Sequence, residues 1–190
     1  MPLHSIDNQS NFDNRSLLEK VAEGDQKAFE ELYETCLAPI YRYCYARLGR
    51  KEAAEDITQI VFAKAWQARR QYEHRNRPPL AYLFTIARNA IVDHIRRKEP
   101  IPVFNAEQLL LTLPDDTQTP ARIAEQREAI EYTDKALRGL DSDQCETILL
   151  RYIADLPYAE IAIIMGKSEE NVRQIVSRAL KAMRKATHLL

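Results

Sequence analysis

Leu156–Lys185 constrains the fold of this chain most, because two apolar patterns of helical spacing stand on either side of one glycine. Tyr158, Ile161, Ala162 and Met165 recur at i, i+3, i+4 and i+7, the face of a short helix. Pro157 suits its opening. Gly166 sits where a tight turn asks for positive φ. Ser168 is placed to cap a second helix, and Glu169 and Glu170 favour its positive end. At about 100° per residue, Val172, Ile175, Val176, Ala179 and Met183 fall on one side of that helix. Arg173, Gln174, Ser177, Arg178, Lys181 and Arg184 spread over the other. The pattern, with Ala162 before the glycine and Val172 after it, is that of a helix-turn-helix. Its basic side suits a major groove, where Arg forks onto guanine, Gln onto adenine, and Lys meets phosphate. A solvated amphipathic hairpin tolerates each of these charges singly but does not call for the set.

The formal net charge of −1 over 190 residues argues at first against nucleic acid. Its distribution reverses that impression. Met1–Cys36 carries −5 and Glu99–Glu146 carries −7, whereas Arg69–Lys98 carries +6 and Gly166–Leu190 carries +4. Phosphate attraction acts within a Debye length of about 8–10 Å, so local charge outweighs the total. No run of 18 apolar residues suggests a membrane span. Met1–Arg15 is polar and acidic, expected to be a frayed tail rather than a secretory signal. Cys36, Cys44 and Cys145 are odd in number and form no CxxC pair, which fits small apolar core residues in a reducing cytoplasm.

Glycine is scarce, no strand alternation is persuasive, and no internal repeat is visible, so the chain is expected to be all-α. Asp25 can cap a helix from Gln26. Pro39 starts or kinks a second helical piece ending at Gly49. A third helix is expected over Glu52–Arg69 and a fourth over Pro79–Lys98, stopped by Pro100 and Pro102. The expected organisation is a tail and lead-in helix over 1–24, a first helical domain over 25–99, a flexible linker over 100–120, and a helix-turn-helix domain over 121–190. In the last, Ala121–Leu140 is expected to be helical. Asp141 or Ser142 caps the next helix, with Ile148, Leu149, Tyr152 and Ile153 as its apolar stripe. Short helices over Tyr158–Met165 and Ser168–Ala186 follow.

The first domain narrows the function. Asp56, Gln59, Phe62 and Trp66 share a sector of about 120° on the third helix. Phe62 and Trp66 read as core, whereas Asp56 and Gln59 read as a polar rim offered to a protein. On the fourth helix, Leu80, Leu83, Phe84, Ala87, Ile91 and Ile95 make an inner face. Tyr82, Thr85, Asn89, Asp93 and Arg96 lie opposite, with Arg97 nearby. A ring, amides and guanidinium groups on one exposed side suit bases that are flipped, stacked and read along their edges.

These stretches resemble the extracytoplasmic-function sigma factors of the sigma-70 superfamily. AFEELYETCLAPIYRYCYARLG, EAAEDITQIVFAKAW and PLAYLFTIARNAIVDHIRRK resemble successive parts of their region 2. ALRGLDSDQCETILLRYIADLPYAEIAIIMG followed by KSEENVRQIVSRALKAMRK resembles their region 4. The resemblance implies a promoter-reading subunit that binds core RNA polymerase and is not itself an enzyme. It implies polymerase contacts at Asp56, Gln59 and Phe62, and minus-ten contacts to melted DNA at Tyr82, Asn89, Asp93, Arg96 and Arg97. Arg173, Gln174, Ser177, Arg178 and Lys181 then stand at minus-thirty-five positions on duplex DNA. An anti-sigma factor is a further implied partner, and no cofactor or metal is implied. Two positions depart from the family pattern: Lys167, where an apolar residue is common, and Gln174-Ile175, where Ser-Arg or Lys-Arg is common. Both bear on which upstream sequence is read. With nothing following Leu190, regulation by an appended domain is not expected.

The main rival is a stand-alone helix-turn-helix regulator, which predicts a dimer on a palindrome and needs no polymerase face. Catalysis has little to build on. Asp93 and His94 point about 100° apart on a helix, and the chain has neither a glycine-rich phosphate loop nor a nucleophile elbow.

Overall fold

Capped helices set the boundaries seen in the computed structural model, which describes residues 17–71, 78–97, 137 and 139–187. The expected tail over Met1–Arg15, the linker over 100–120 and most of the helix over Ala121–Leu140 lie outside them. The described residues are helical, with a helix over residues 17–23 (α1) followed by α2 (Gln26–Leu48), α3 (Lys51–Gln67) and α4 (Pro79–Arg97). The second group is α5 (Ser142–Tyr152), α6 (Tyr158–Met165) and α7 (Glu169–Thr187).

Asp25 opens α2 by accepting from the backbone N–H of Lys27 at 2.9 Å and Ala28 at 3.3 Å, meeting two donors that have no partner inside the helix. Gly49 ends α2 in the left-handed region at φ 62°, its N–H on the Tyr45 carbonyl. Pro39 does not start a new helix: α2 runs through it. The carbonyl that a proline leaves unbonded belongs to the residue four before, here the exposed Thr35, whose surroundings are wet. The third helix stops at Gln67, and a 3-10 turn over Arg69–Gln71 follows. There the Arg69 guanidinium lies 4.1 Å over the Trp66 ring and donates to the Trp66 carbonyl.

Asp141, rather than Ser142, caps α5. It accepts from the Gln144 N–H at 2.8 Å while the Gln144 side chain accepts from the Asp141 N–H at 3.2 Å, a reciprocal capping box. Tyr152 is not part of the buried stripe of α5. At 53% exposure it lies outside, because the helix ends there and the turn, with Asp155 at φ 51°, carries Leu156 inward instead.

In the first group α2, α3 and α4 pack on one another, with Tyr43 and Phe84 edge to face at 5.2 Å. In the second, α5 and α6 pack against α7. The two groups also touch, α4 against α6 and α2 against α5, and one buried cluster runs through both. No local sequence pattern announces that contact.

Burial pushes the Cys36 thiol up to about 11 and the Cys44 thiol up to about 12; Cys145 is also raised by burial, and all three are unbridged. The folded state therefore holds these thiols protonated. The stability they contribute is complete below the ordinary thiol value and is lost as pH rises toward the shifted ones. Iodoacetamide at pH 8 is expected to leave all three unmodified in the folded chain and to alkylate all three in denaturant, read by mass spectrometry. Rapid native labelling would contradict their burial.

Candidate nucleic-acid interface

Two exposed polar surfaces stand on the apolar scaffold, one in each helical group. The first is built by α4. Ala81, Leu83, Phe84, Ala87, Ala90 and Ile91 are buried, and this inner stripe fixes the rotation of the helix. The opposite side then faces solvent: Tyr82 and Asp93 are half-buried, Asn89 and Arg96 exposed. Tyr82, Ile86 and Asn89 line one wall of an open groove of about 410 Å³, and Lys64, Gln67 and Ala68 from the end of α3 line the other. A ring, an amide and an ammonium converging on a cleft of this size suit a flat, hydrogen-bonding ring attached to a phosphate backbone. Burial raises the Tyr82 pKa, so its hydroxyl stays neutral.

The groove brings together Tyr82 and Asn89, two of the residues singled out from sequence. Asp93 and Arg96 lie further along α4 and pair with each other at 3.4 Å. Arg97 is the last helical residue, and its side chain lies outside the described residues. Lys64 and Ile86 were not anticipated from sequence. The signal was available for Lys64, a cation near the C-terminal end of α3, but the wall it shares with Asn89 exists only once α3 and α4 pack.

On α3, Asp56 and Gln59 are exposed, as a partner-facing rim requires. Phe62 lies in the core, as its reading from the helical wheel has it. It is 4% exposed, its ring 4.6 Å from Tyr33 of α2, so it supports that face from beneath. The cause is its place on the same inward stripe as Thr58, Val61 and Ala65. Trp66 packs likewise on Phe29 at 4.8 Å. Ile60, beside Asp56 and Gln59 on α3, is 41% exposed.

The second surface is α7. Val172, Ile175, Val176 and Ala179 are buried, and Met183 is partly so. Gly166 makes the turn at φ 64°, and no atom lies within 4 Å of where its Cβ would be, so the torsion alone requires glycine. Ser168 caps α7 through the Asn171 N–H at 3.2 Å. Lys167 pairs with Asp143 of α5 at 3.0 Å. Arg173, Gln174, Ser177, Arg178 and Lys181 are all exposed, a continuous ridge of donors. Arg173 is held in place, its guanidinium paired with Glu169 at 2.5 Å and lying 4.5 Å over the Tyr158 ring.

Among the described residues no group of three or more His, Cys, Asp or Glu side chains could hold a metal ion, and no helix is long and apolar enough to cross a membrane.

The family model for sigma-70 region 2 matches residues 32–100, and that for sigma-70 region 4 matches residues 136–185. The ECF RNA polymerase sigma factor BldN of Streptomyces coelicolor is 31% identical over 172 residues, 88% of this chain, which spans 63% of the length of BldN. The ECF RNA polymerase sigma factor SigM of Bacillus subtilis is 26% identical over 155 residues, 82% of this chain and 92% of SigM. In fold, the chain is similar to the sigma factor RpoE of Bartonella quintana, solved with the anti-sigma factor NepR: TM-score 0.61 at 23% identity, over 84% of this chain and 96% of that one.

Asn89→Ala and Gln174→Ala, both at exposed positions, are expected to change thermal stability by less than about 0.5 kcal/mol. Ile161→Ala, fully buried in α6, is expected to cost about 2–5 kcal/mol. Calorimetry or denaturant titration checks the contrast.

Proposed function

We infer that this chain, which belongs to the extracytoplasmic-function sigma factors of the sigma-70 family, binds core RNA polymerase and directs it to promoters by reading a minus-ten and a minus-thirty-five element. One observation carries this reading: region 2 and region 4 occur in order on one chain, the first bearing an open groove with a ring and an amide, the second an exposed cationic ridge. A stand-alone helix-turn-helix regulator has no use for the first of these.

The proposed units are 25–99, 100–120 and 121–190. The first docks on polymerase through Asp56, Gln59 and the adjoining Ile60, with Phe62 shaping the face from within. Tyr82 offers a ring on which an unpaired base can stack, and Asn89 an amide for its edge. Asp93, Arg96 and Arg97 continue that contact toward the backbone. In the second unit Arg173 and Gln174 read base edges, and Ser177, Arg178 and Lys181 hold the adjoining phosphates or bases. Each contact is weak by itself. Tethering both to one polymerase raises the effective concentration of the second after the first forms. The chain acts in the cytoplasm, performs no chemistry of its own, and is held by an anti-sigma factor when not in use.

Run-off transcription with purified core polymerase and a genomic fragment library tests this. Core plus the chain is expected to yield discrete transcripts that core alone does not. Asn89→Ala is expected to impair opening at those promoters. Arg173→Ala and Arg178→Ala are expected to weaken upstream recognition by about 1–3 kcal/mol where a base-reading pair is lost. Tight dimeric binding to a palindrome without polymerase, and no transcripts with it, would establish the stand-alone regulator instead.

A further inference from the structure

We propose that Glu169 and Tyr158 are positioning residues for Arg173. Glu169 withholds the Arg173 charge from the phosphate backbone, and the two together present its remaining N–H donors to a base edge. The helix-turn-helix thereby gains base discrimination and gives up overall affinity. The inference rests on the promoter-reading function above and assigns these two residues a part in it.

Arg173 stands one turn into α7, where the second helix of such a motif meets base edges. Its guanidinium is held from two elements. Nη2 donates to Glu169 Oε1 at 2.5 Å, and the guanidinium carbon lies 4.5 Å over the ring of Tyr158, the first residue of α6. That ring is itself fixed. Tyr158 is half-buried against the core, and the Arg151 guanidinium stands 5.3 Å from it. Arg151 in turn donates to the Leu156 carbonyl at 3.1 Å and pairs with Asp155 at 3.4 Å.

An exposed ion pair within one helix adds little to folding. The Arg173 and Glu169 side chains are 59% and 44% exposed, so stability does not account for their arrangement, whereas recognition does. A guanidinium has five N–H donors. Glu169 engages one, and guanine O6 and N7 ask for two. What the pair gives up is net charge. Phosphate answers to charge, of which a neutral pair offers little. A base edge takes directed hydrogen bonds, which the pair retains. The N-terminus of α7 would also draw a phosphate through its free N–H groups. Glu169 and Glu170 both stand in that first turn and oppose it. With Arg173, Gln174 and Ser177 they line one open concavity of about 470 Å³. Its surface is thus poor for phosphate and rich in directed donors.

The test uses the full chain with core polymerase. The DNA is promoter fragments recovered by run-off transcription and varied one base pair at a time through the upstream element. Affinity is read at several salt concentrations. Arg173→Ala should cut discrimination at one base pair by about tenfold, which locates the base it reads. Glu169→Gln should cut discrimination at that same base pair by about threefold. It should also bind substituted fragments more tightly than the wild type and steepen the fall of log affinity with log salt by about one. Tyr158→Leu should lose the same discrimination with the salt slope unchanged, and Tyr158→Phe, which keeps the ring, should recover it. Should Tyr158→Leu unfold on thermal melting, the exposed Glu169→Gln variant decides. Unaltered discrimination in Glu169→Gln would overturn the proposal. So would relaxation at a different base pair, which would make Glu169 a base reader in its own right. If Arg173→Ala relaxes a base pair and Glu169→Gln does not, the positioning fails and promoter reading stands. If polymerase with the chain selects no promoter, promoter reading fails and this inference falls with it.

Discussion

A carboxylate taken out of water must be met by donors or give up its charge, and Glu146 is met from the far end of the chain. Its two oxygens face the Tyr43 hydroxyl and the Arg47 guanidinium. Much of the local architecture serves to bring these three groups together. The turn at Gly49 closes α2 just beyond Arg47, and the Asp141 capping box fixes where α5 begins and so which way Glu146 points. Phe84 ties Tyr43 to the helix that carries the groove. The charge pair thus sits where α2, α4 and α5 converge, and it sets how the two helical groups face each other.

The two polar surfaces follow a common logic. In each, a stripe of buried apolar residues fixes the rotation of a helix, and the residues left outside are those with the chemistry. On α4 the stripe includes Leu83, Phe84, Ala87 and Ile91; on α7 it includes Val172, Val176 and Ala179. Because the stripes are rigid, the outward side chains can change without changing the fold. Their stability cost is small, and their sequence is set by what they touch. The stacking of Arg173 on Tyr158 and its pairing with Glu169 narrow the directions in which that guanidinium is presented. A surface arginine without such neighbours pays more entropy on binding.

The parts of this arrangement legible in the sequence were those written in local spacing. The helix over Tyr158–Met165, its glycine turn, the Asp25 cap and the inner faces of α4 and α7 all follow from periodicity and capping chemistry. The structure settles two readings the wheel and the prolines left open and overturns a third. Pro39 is open to a helix start or a kink; the one hydrogen bond it removes falls at exposed Thr35, and the helix continues through it. Phe62 reads as core beside the polar rim of Asp56 and Gln59, and it is buried with its neighbours on the wheel. Tyr152 looked like core, but α5 ends there. Glu146 illustrates the deeper limit. It stands in an acidic stretch, and the approach of α2, from a hundred residues earlier, meets its carboxylate. Spacing within one helix carries no information about such a partner. The groove wall formed by Lys64 with Asn89 was hidden for the same reason.

The central claim is that two surfaces on one chain engage two separated DNA elements under the direction of polymerase. Footprinting on a cognate promoter, with the chain alone and with the chain plus core enzyme, tests it most directly. The account predicts two separate protected segments on one promoter, present with core enzyme and absent without it. Strong protection of a single symmetric site by the chain alone, unaltered by core enzyme, would contradict it.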